Sequence, residues 1–171
     1  RYELAIHYEG RYESRSDRTT VFVRRLAEKP GVSTAKLYGY GSEVYVLADD
    51  ALEVTVDPRR GGRILEIYDR RTGCNQITVP YDRLGGLHNI AFAYCIWDEV
   101  KAPHGFGIGR NAPYQVKVLP DGLTLSAGAP GKLAVTKTLT LGGGGVLNLN
   151  VKLDNRSDRE LACSWYMHPE Y

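Results

Sequence analysis

Two runs of alternating residues on either side of a glycine loop constrain this chain more than any other feature. Leu133, Val135, Leu139 and Leu141 share one parity before Gly142–Gly145, and Leu147, Leu149, Val151 and Leu153 share one parity after it. A period of two places such residues on one face of a strand. The runs therefore predict two long antiparallel strands meeting at the glycines, with Asn148, Asn150 and Lys152 on the more polar face. Strands of this kind need a second apolar surface to cover them, which is a demand for a stacked sheet.

The rest of the chain supplies it. Glu43 to Leu47, Leu52 to Val56 and Arg63 to Tyr68 are short β-like runs separated by Asp49-Asp50, Asp57-Pro58 and Gly61-Gly62, each a turn signal, so they read as a meander. Gln115 to Leu119 and Leu123 to Leu125 flank Pro120-Asp121-Gly122, where Asp-Gly is expected to supply the positive φ of a tight hairpin turn. Tyr2 to Tyr8 alternates as a half-buried strand, residues 19–29 fit a strand or a short helix ending at Pro30-Gly31, with strand ahead, and residues 30–40 look like a connector. No segment after residue 40 carries a sustained apolar stripe at helical spacing. The expected architecture is all-β, an antiparallel β-sandwich over residues 39–171, with residues 1–38 as an N-terminal extension or the end of a preceding domain.

Composition agrees and narrows the partners. The 171 residues include 19 Gly and 12 Tyr but only 3 Phe and 1 Met, a turn-rich, tyrosine-rich chain poor in the flexible hydrophobes of helical bundles. With 22 basic and 20 acidic residues, the net charge of +2 is too small and too interspersed for nucleic acid or an anionic membrane as the main partner. No apolar run is long enough for a spanning helix. Cys74, Cys95 and Cys163 lack metal-binding or redox spacing; one disulfide with a free thiol, or three thiols, are both allowed. The chain begins at Arg1 without a signal-like segment, so a leader is expected to be already removed or never present. A secreted or periplasmic location is placed ahead of a cytoplasmic one.

Chemistry-bearing residues concentrate in two stretches. Residues 81–110 hold His88, Trp97, Asp98-Glu99, His104 and Arg110, and the C-terminal run holds Trp165, Tyr166, His168 and Glu170. Trp and Tyr offer flat faces that stack on the C–H face of a sugar ring, while Arg, Asp, Glu and His hydrogen-bond its hydroxyls. The plainer readings make Trp97 and Trp165 core fillers and Asp98-Glu99 a solvated turn. No pair of ligands has metal spacing, and no phosphate-binding or nucleophile-elbow motif is present, so neither metal nor cofactor is expected.

Leu52-Glu53-Val54-Thr55-Val56-Asp57-Pro58, Gly61-Gly62-Arg63-Ile64 and Asp69-Arg70-Arg71-Thr72-Gly73 resemble the opening of galactose mutarotase-like domains. Val135 to Leu141, Val146 to Asn155 and the ending at His168-Pro169-Glu170-Tyr171 resemble a later stretch of the same family, so that the likeness covers about residues 42–171. It implies a supersandwich of large antiparallel sheets, as used by aldose 1-epimerases and by accessory domains of glycoside hydrolases. It also implies His168 as a general acid and Arg110, in Gly105-Phe106-Gly107-Ile108-Gly109-Arg110, as a sugar ligand. The family's base would lie beyond Tyr171. Glu170 follows His168 by two residues and so shares its face of a strand, whereas mutarotation needs acid and base on opposite sides of the sugar.

The expectation is a carbohydrate-binding sandwich, the N-terminal part of a supersandwich within a larger sugar-processing protein such as a glycoside hydrolase, and not catalytic alone. The alternatives are an aldose 1-epimerase using His168, and a structural domain whose sandwich is completed by another chain or a second copy. The expected site comprises His168 and Glu170 for catalysis, with Arg110, His88, His104, Trp97, Trp165 and Tyr166 binding a carbohydrate.

Overall fold

The computed structural model describes residues 2–9, 14–21, 26–36, 43–77, 96–128 and 131–168. Within them run β1 (Tyr2–Glu9), β2 (Ser14–Val21), β3 (Gly31–Lys36), β4 (Glu43–Ala48), β5 (Leu52–Asp57), β6 (Arg63–Asp69), β7 (Cys74–Asn75), β8 (Trp97–Lys101), β9 (Gln115–Leu119), β10 (Gly122–Gly128), β11 (Leu133–Leu141), β12 (Leu147–Asn155) and β13 (Ser164–His168). Every pairing is antiparallel. Among the described residues the helical content is a 3-10 turn at Pro103–Gly105. The chain is all-β, as its alternation requires.

Two sheets make the sandwich. One has the order β3-β4-β5-β6-β7 and the other β12-β11-β10-β9. Leu47, Val54, Val56 and Ile64 from the first join Leu123, Leu125, Leu133, Val135 and Leu139 from the second in a single buried cluster. The alternation that opened the sequence thus ends as the inner face of β11. The long hairpin forms as expected, with register from Leu133↔Asn155 to Leu141↔Leu147.

Strand β5 is buried on both faces. Leu52, Val54 and Val56 enter the core, while Glu53, Thr55 and Asp57 point the other way and are also shielded from water. Burial of a polar group is tolerated when it is hydrogen-bonded. Glu53 accepts from the Ala27 amide at 2.9 Å and from Arg70 Nη2 at 3.0 Å, and the Thr55 hydroxyl donates to Glu66 at 3.3 Å. The pairing with β6 shifts between Thr55 and Val56, where Leu65 is the extra residue of a bulge.

Two local expectations change, and one holds as far as it is described. Residues 31–36, read as connector, form β3 and pair with β4. They lie upstream of the boundary expected at residue 38, yet belong to the sheet of β4–β7. The ambiguous segment after Thr19 is strand through Val21, and residues 22–25 fall outside the described residues. The hairpin at Pro120-Asp121 is present, with Leu119 opposite Gly122, but neither Asp121 nor Gly122 has a positive φ. Gly122 is instead required by proximity: a Cβ there would lie 1.9 Å from the Leu139 carbonyl oxygen of β11. The free thiols Cys74 and Cys163 are exposed, and Cys95 is outside the described residues.

Candidate functional site

The site begins with one residue out of pattern. Lys137 occupies the core-facing parity of β11, between Val135 and Leu139, and is only 2% exposed. An ammonium buried among leucines must find partners. It donates to the Gly61 carbonyl oxygen at 2.7 Å and to Asp98 Oδ1, and it stands 4.5 Å from the centre of the Tyr114 ring, a cation–π distance. Burial lowers the Lys137 pKa, and the Asp98 carboxylate opposes that shift. The same burial, with the Asp98 charge second, raises the Tyr114 phenol.

Asp98 connects this centre to the surface. Its Oδ2 accepts from the indole Nε1 of Trp165 at 2.8 Å. Asp98 therefore gives one oxygen to a buried cation and the other to an indole that is 38% exposed. Trp165 lies on β13, which pairs with β8 so that Trp165 faces Val100, Tyr166 faces Glu99, Met167 faces Asp98 and His168 faces Trp97. Opposite residues share a sheet face. One face therefore carries Trp165 and Met167 with Asp98 and Val100, and the other carries Tyr166 and His168 with Glu99. All five residues of β13 are exposed, including Tyr166 at 43% and Met167 at 42%. Lys101 Nζ stands 4.9 Å from the Tyr166 ring centre and 3.2 Å from the Glu99 carboxylate.

A second arm leaves Lys137 through the turn after β5. Gly61 and Gly62 have φ of +78° and +63°, and a Cβ on Gly61 would lie 2.0 Å from the Arg110 carbonyl oxygen. The Gly61 amide donates to Ala112 O at 2.8 Å, the Tyr114 amide donates to Pro58 O at 2.8 Å, and the Arg63 guanidinium donates to Asn111 Oδ1. The Gly-Gly-Arg turn and the Ile108 to Tyr114 loop are thus interlocked.

These contacts place the expected residues. β8 and its continuation carry three of them: Trp97 in the strand, His104 in the turn at Pro103–Gly105 with φ +57°, and the partly buried Arg110 beyond Ile108. Val100 and Ile108 exchange hydrogen bonds of 2.9 Å each way, so the His104 segment is a short excursion from β8. His168, Tyr166 and Trp165 are brought against β8 by pairing. His88 and Glu170 lie outside the described residues. Two of the plainer readings fall: Trp165 is no core filler, and Asp98-Glu99 is no solvated turn, because Asp98 is 8% exposed and engaged by Lys137 and Trp165. Lys137 was missed, although a single lysine on an otherwise apolar parity was the available signal.

Among the described residues no group of His, Cys, Asp and Glu is arranged to hold a metal ion, and no helix is long and apolar enough to cross a membrane. Two shallow concavities of about 220 and 350 Å³ lie away from the cluster, one beside Leu47, Asp49, Asp121 and Leu141, the other beside Leu26, Ala27, Ser33 and Glu53.

No protein-family model matches this chain, and no curated protein sequence matches it. Among solved structures, the crystal structure of 4-alpha-glucanotransferase from Thermococcus litoralis is similar over 74% of this chain, with 19% sequence identity and a TM-score of 0.48. The chain spans 25% of the length of that structure's chain.

Proposed function

We propose that this chain is a carbohydrate-binding β-sandwich domain of a sugar-processing protein. The observation that carries the reading is the exposed indole of Trp165, held by its N–H to Asp98 at 2.8 Å. Aromatic surface in water is unfavourable unless a ligand covers it, and an indole fixed at one edge loses little further freedom on binding. A pyranose ring supplies the matching partner, an apolar C–H face bordered by hydroxyls. Glu99, Lys101 and His168 stand on the other face of the paired strands, beside Tyr166, and offer an acceptor, a donor and a group able to act as either. Tyr166 gives that face an aromatic plane of its own, so a sugar ring can stack on either side of β13.

Isothermal titration of the full chain against glucose, galactose and mannose and their oligosaccharides tests the reading. Binding should appear for at least one oligosaccharide and weaken about 10-fold or more in Trp165→Ala, a loss of about 1.4 kcal/mol. Absence of heat across the panel with a folded protein, or undiminished binding by Trp165→Ala, would sink it.

A further inference from the structure

We infer that Lys137 is the positioning residue of this site, a buried ammonium that fixes Trp165 through Asp98 and the Arg110 loop through Gly61. The inference rests on the carbohydrate-binding reading and deepens it by naming the group that sets the geometry. Lys137 meets no ligand, because it is 2% exposed. Its contacts, however, lie at a junction. One runs to Asp98, whose other oxygen holds the indole N–H at 2.8 Å. Another runs to the Gly61 carbonyl at 2.7 Å, on the turn that lies against the Arg110 backbone and binds Ala112 through its amide. The third side of the ammonium faces the Tyr114 ring at 4.5 Å, on the same loop.

A merely structural account is weaker. The position belongs to the apolar parity of β11, where Val135 and Leu139 are buried, and a methionine would fill it without desolvating a charge. A buried ion pair is commonly no more stabilising than apolar residues of the same volume. What the apolar alternative lacks is direction. An uncharged side chain would leave the Asp98 carboxylate free to rotate or to turn to water, and the indole would follow it.

Lys137→Met in the full chain tests this, with the Trp165 indole N–H resonance and affinity for hexasaccharides of α-1,4-linked and β-1,4-linked glucose as readouts. The chain has two tryptophans, so the Trp165 resonance is identified by its loss in Trp165→Phe. In Lys137→Met and in Asp98→Asn the resonance should move upfield and affinity should fall about 10-fold or more, the scale of one charge-assisted hydrogen bond. Lys152→Met, at an exposed lysine of β12, should change neither. If Lys137→Met does not fold, Lys137→Gln carries the same readouts. A folded variant with the resonance in place, or with affinity retained, overturns the inference. Failure of the wild-type chain to bind either hexasaccharide or any sugar of the panel, while the resonance still moves, overturns the carbohydrate reading and leaves the coupling of Lys137 to Trp165 standing.

Discussion

Removing the Asp98 carboxylate should expose how unequal its bond with Lys137 is. Asp98→Ala leaves an ammonium that is 2% exposed with one carbonyl, Gly61 O at 2.7 Å, and the face of Tyr114. Breaking a buried pair in this way costs about 3–5 kcal/mol, which for a chain of this size corresponds to roughly 6–20 °C in Tm. Lys137→Met is milder, about 1–3 kcal/mol, because Asp98 is 8% exposed and keeps the Trp165 donor. The double variant removes both charges, so it should be no less stable than Asp98→Ala, with a coupling of at least about 1 kcal/mol, the cost of Lys137→Met. Urea unfolding followed by far-ultraviolet circular dichroism, with m unchanged across the set, measures all four states. Alkaline pH adds a signature. Burial already holds the Lys137 pKa below its ordinary 10.5, against the pull of Asp98. Without Asp98 it falls further. Between the folded value and 10.5 the unfolded chain binds the extra proton, so stability from this group rises with pH. The deficit of Asp98→Ala should therefore narrow as the pH rises towards 10.5. A deficit under about 1 kcal/mol, or a double variant equal to the sum of the singles, would refute the reasoning.

Other outcomes follow from single positions. Gly122→Ala forces a Cβ to within 1.9 Å of Leu139 O, a backbone atom that cannot turn aside. At this separation it should cost about 3 kcal/mol or more by urea unfolding, whereas Gly131→Ala, at φ +68° with open space, should cost about 1–2 kcal/mol from the left-handed backbone alone. Equal losses at the two glycines would contradict the packing argument. The Arg71 guanidinium holds the Asp69 pKa at about 2, against an ordinary 3.8. A lowered carboxylate pKa contributes stability above 3.8 that disappears as pH falls through 2. Acid unfolding of Asp69→Asn should lack that part of the pH dependence, and an unchanged profile would exclude the ion pair as its source.

The parity of Leu133 to Leu153, the turn signals and the missing helical stripe were enough for an all-β chain, because the period of a strand is written in which residues repel water. The meander of β4–β6 and both hairpins were legible for the same reason. Gly122 was assigned to the right turn on the wrong grounds. Composition marks a glycine, but whether it serves φ or a close approach depends on what lies across the sheet. β3 was hidden because Gly31 to Lys36 is an edge strand, half-buried at most, whose small and polar residues carry little periodicity.

At the site, the sequence alone named Trp165, Tyr166, His168 and Arg110 as residues with the chemistry for a sugar. It could not order them. Asp98 stands 67 positions from Trp165 and 39 from Lys137, and such partners are joined only by which strands pair and which sheets stack. The sequence by itself determined β4–β6 and β9–β12 and the residue types at their disposal, since both follow from local alternation and side-chain chemistry. Only the tertiary structure decided that a lysine buried in one sheet would face a carboxylate on another strand. The partner that makes a buried charge tolerable is set by sheet pairing and packing, which no local pattern encodes.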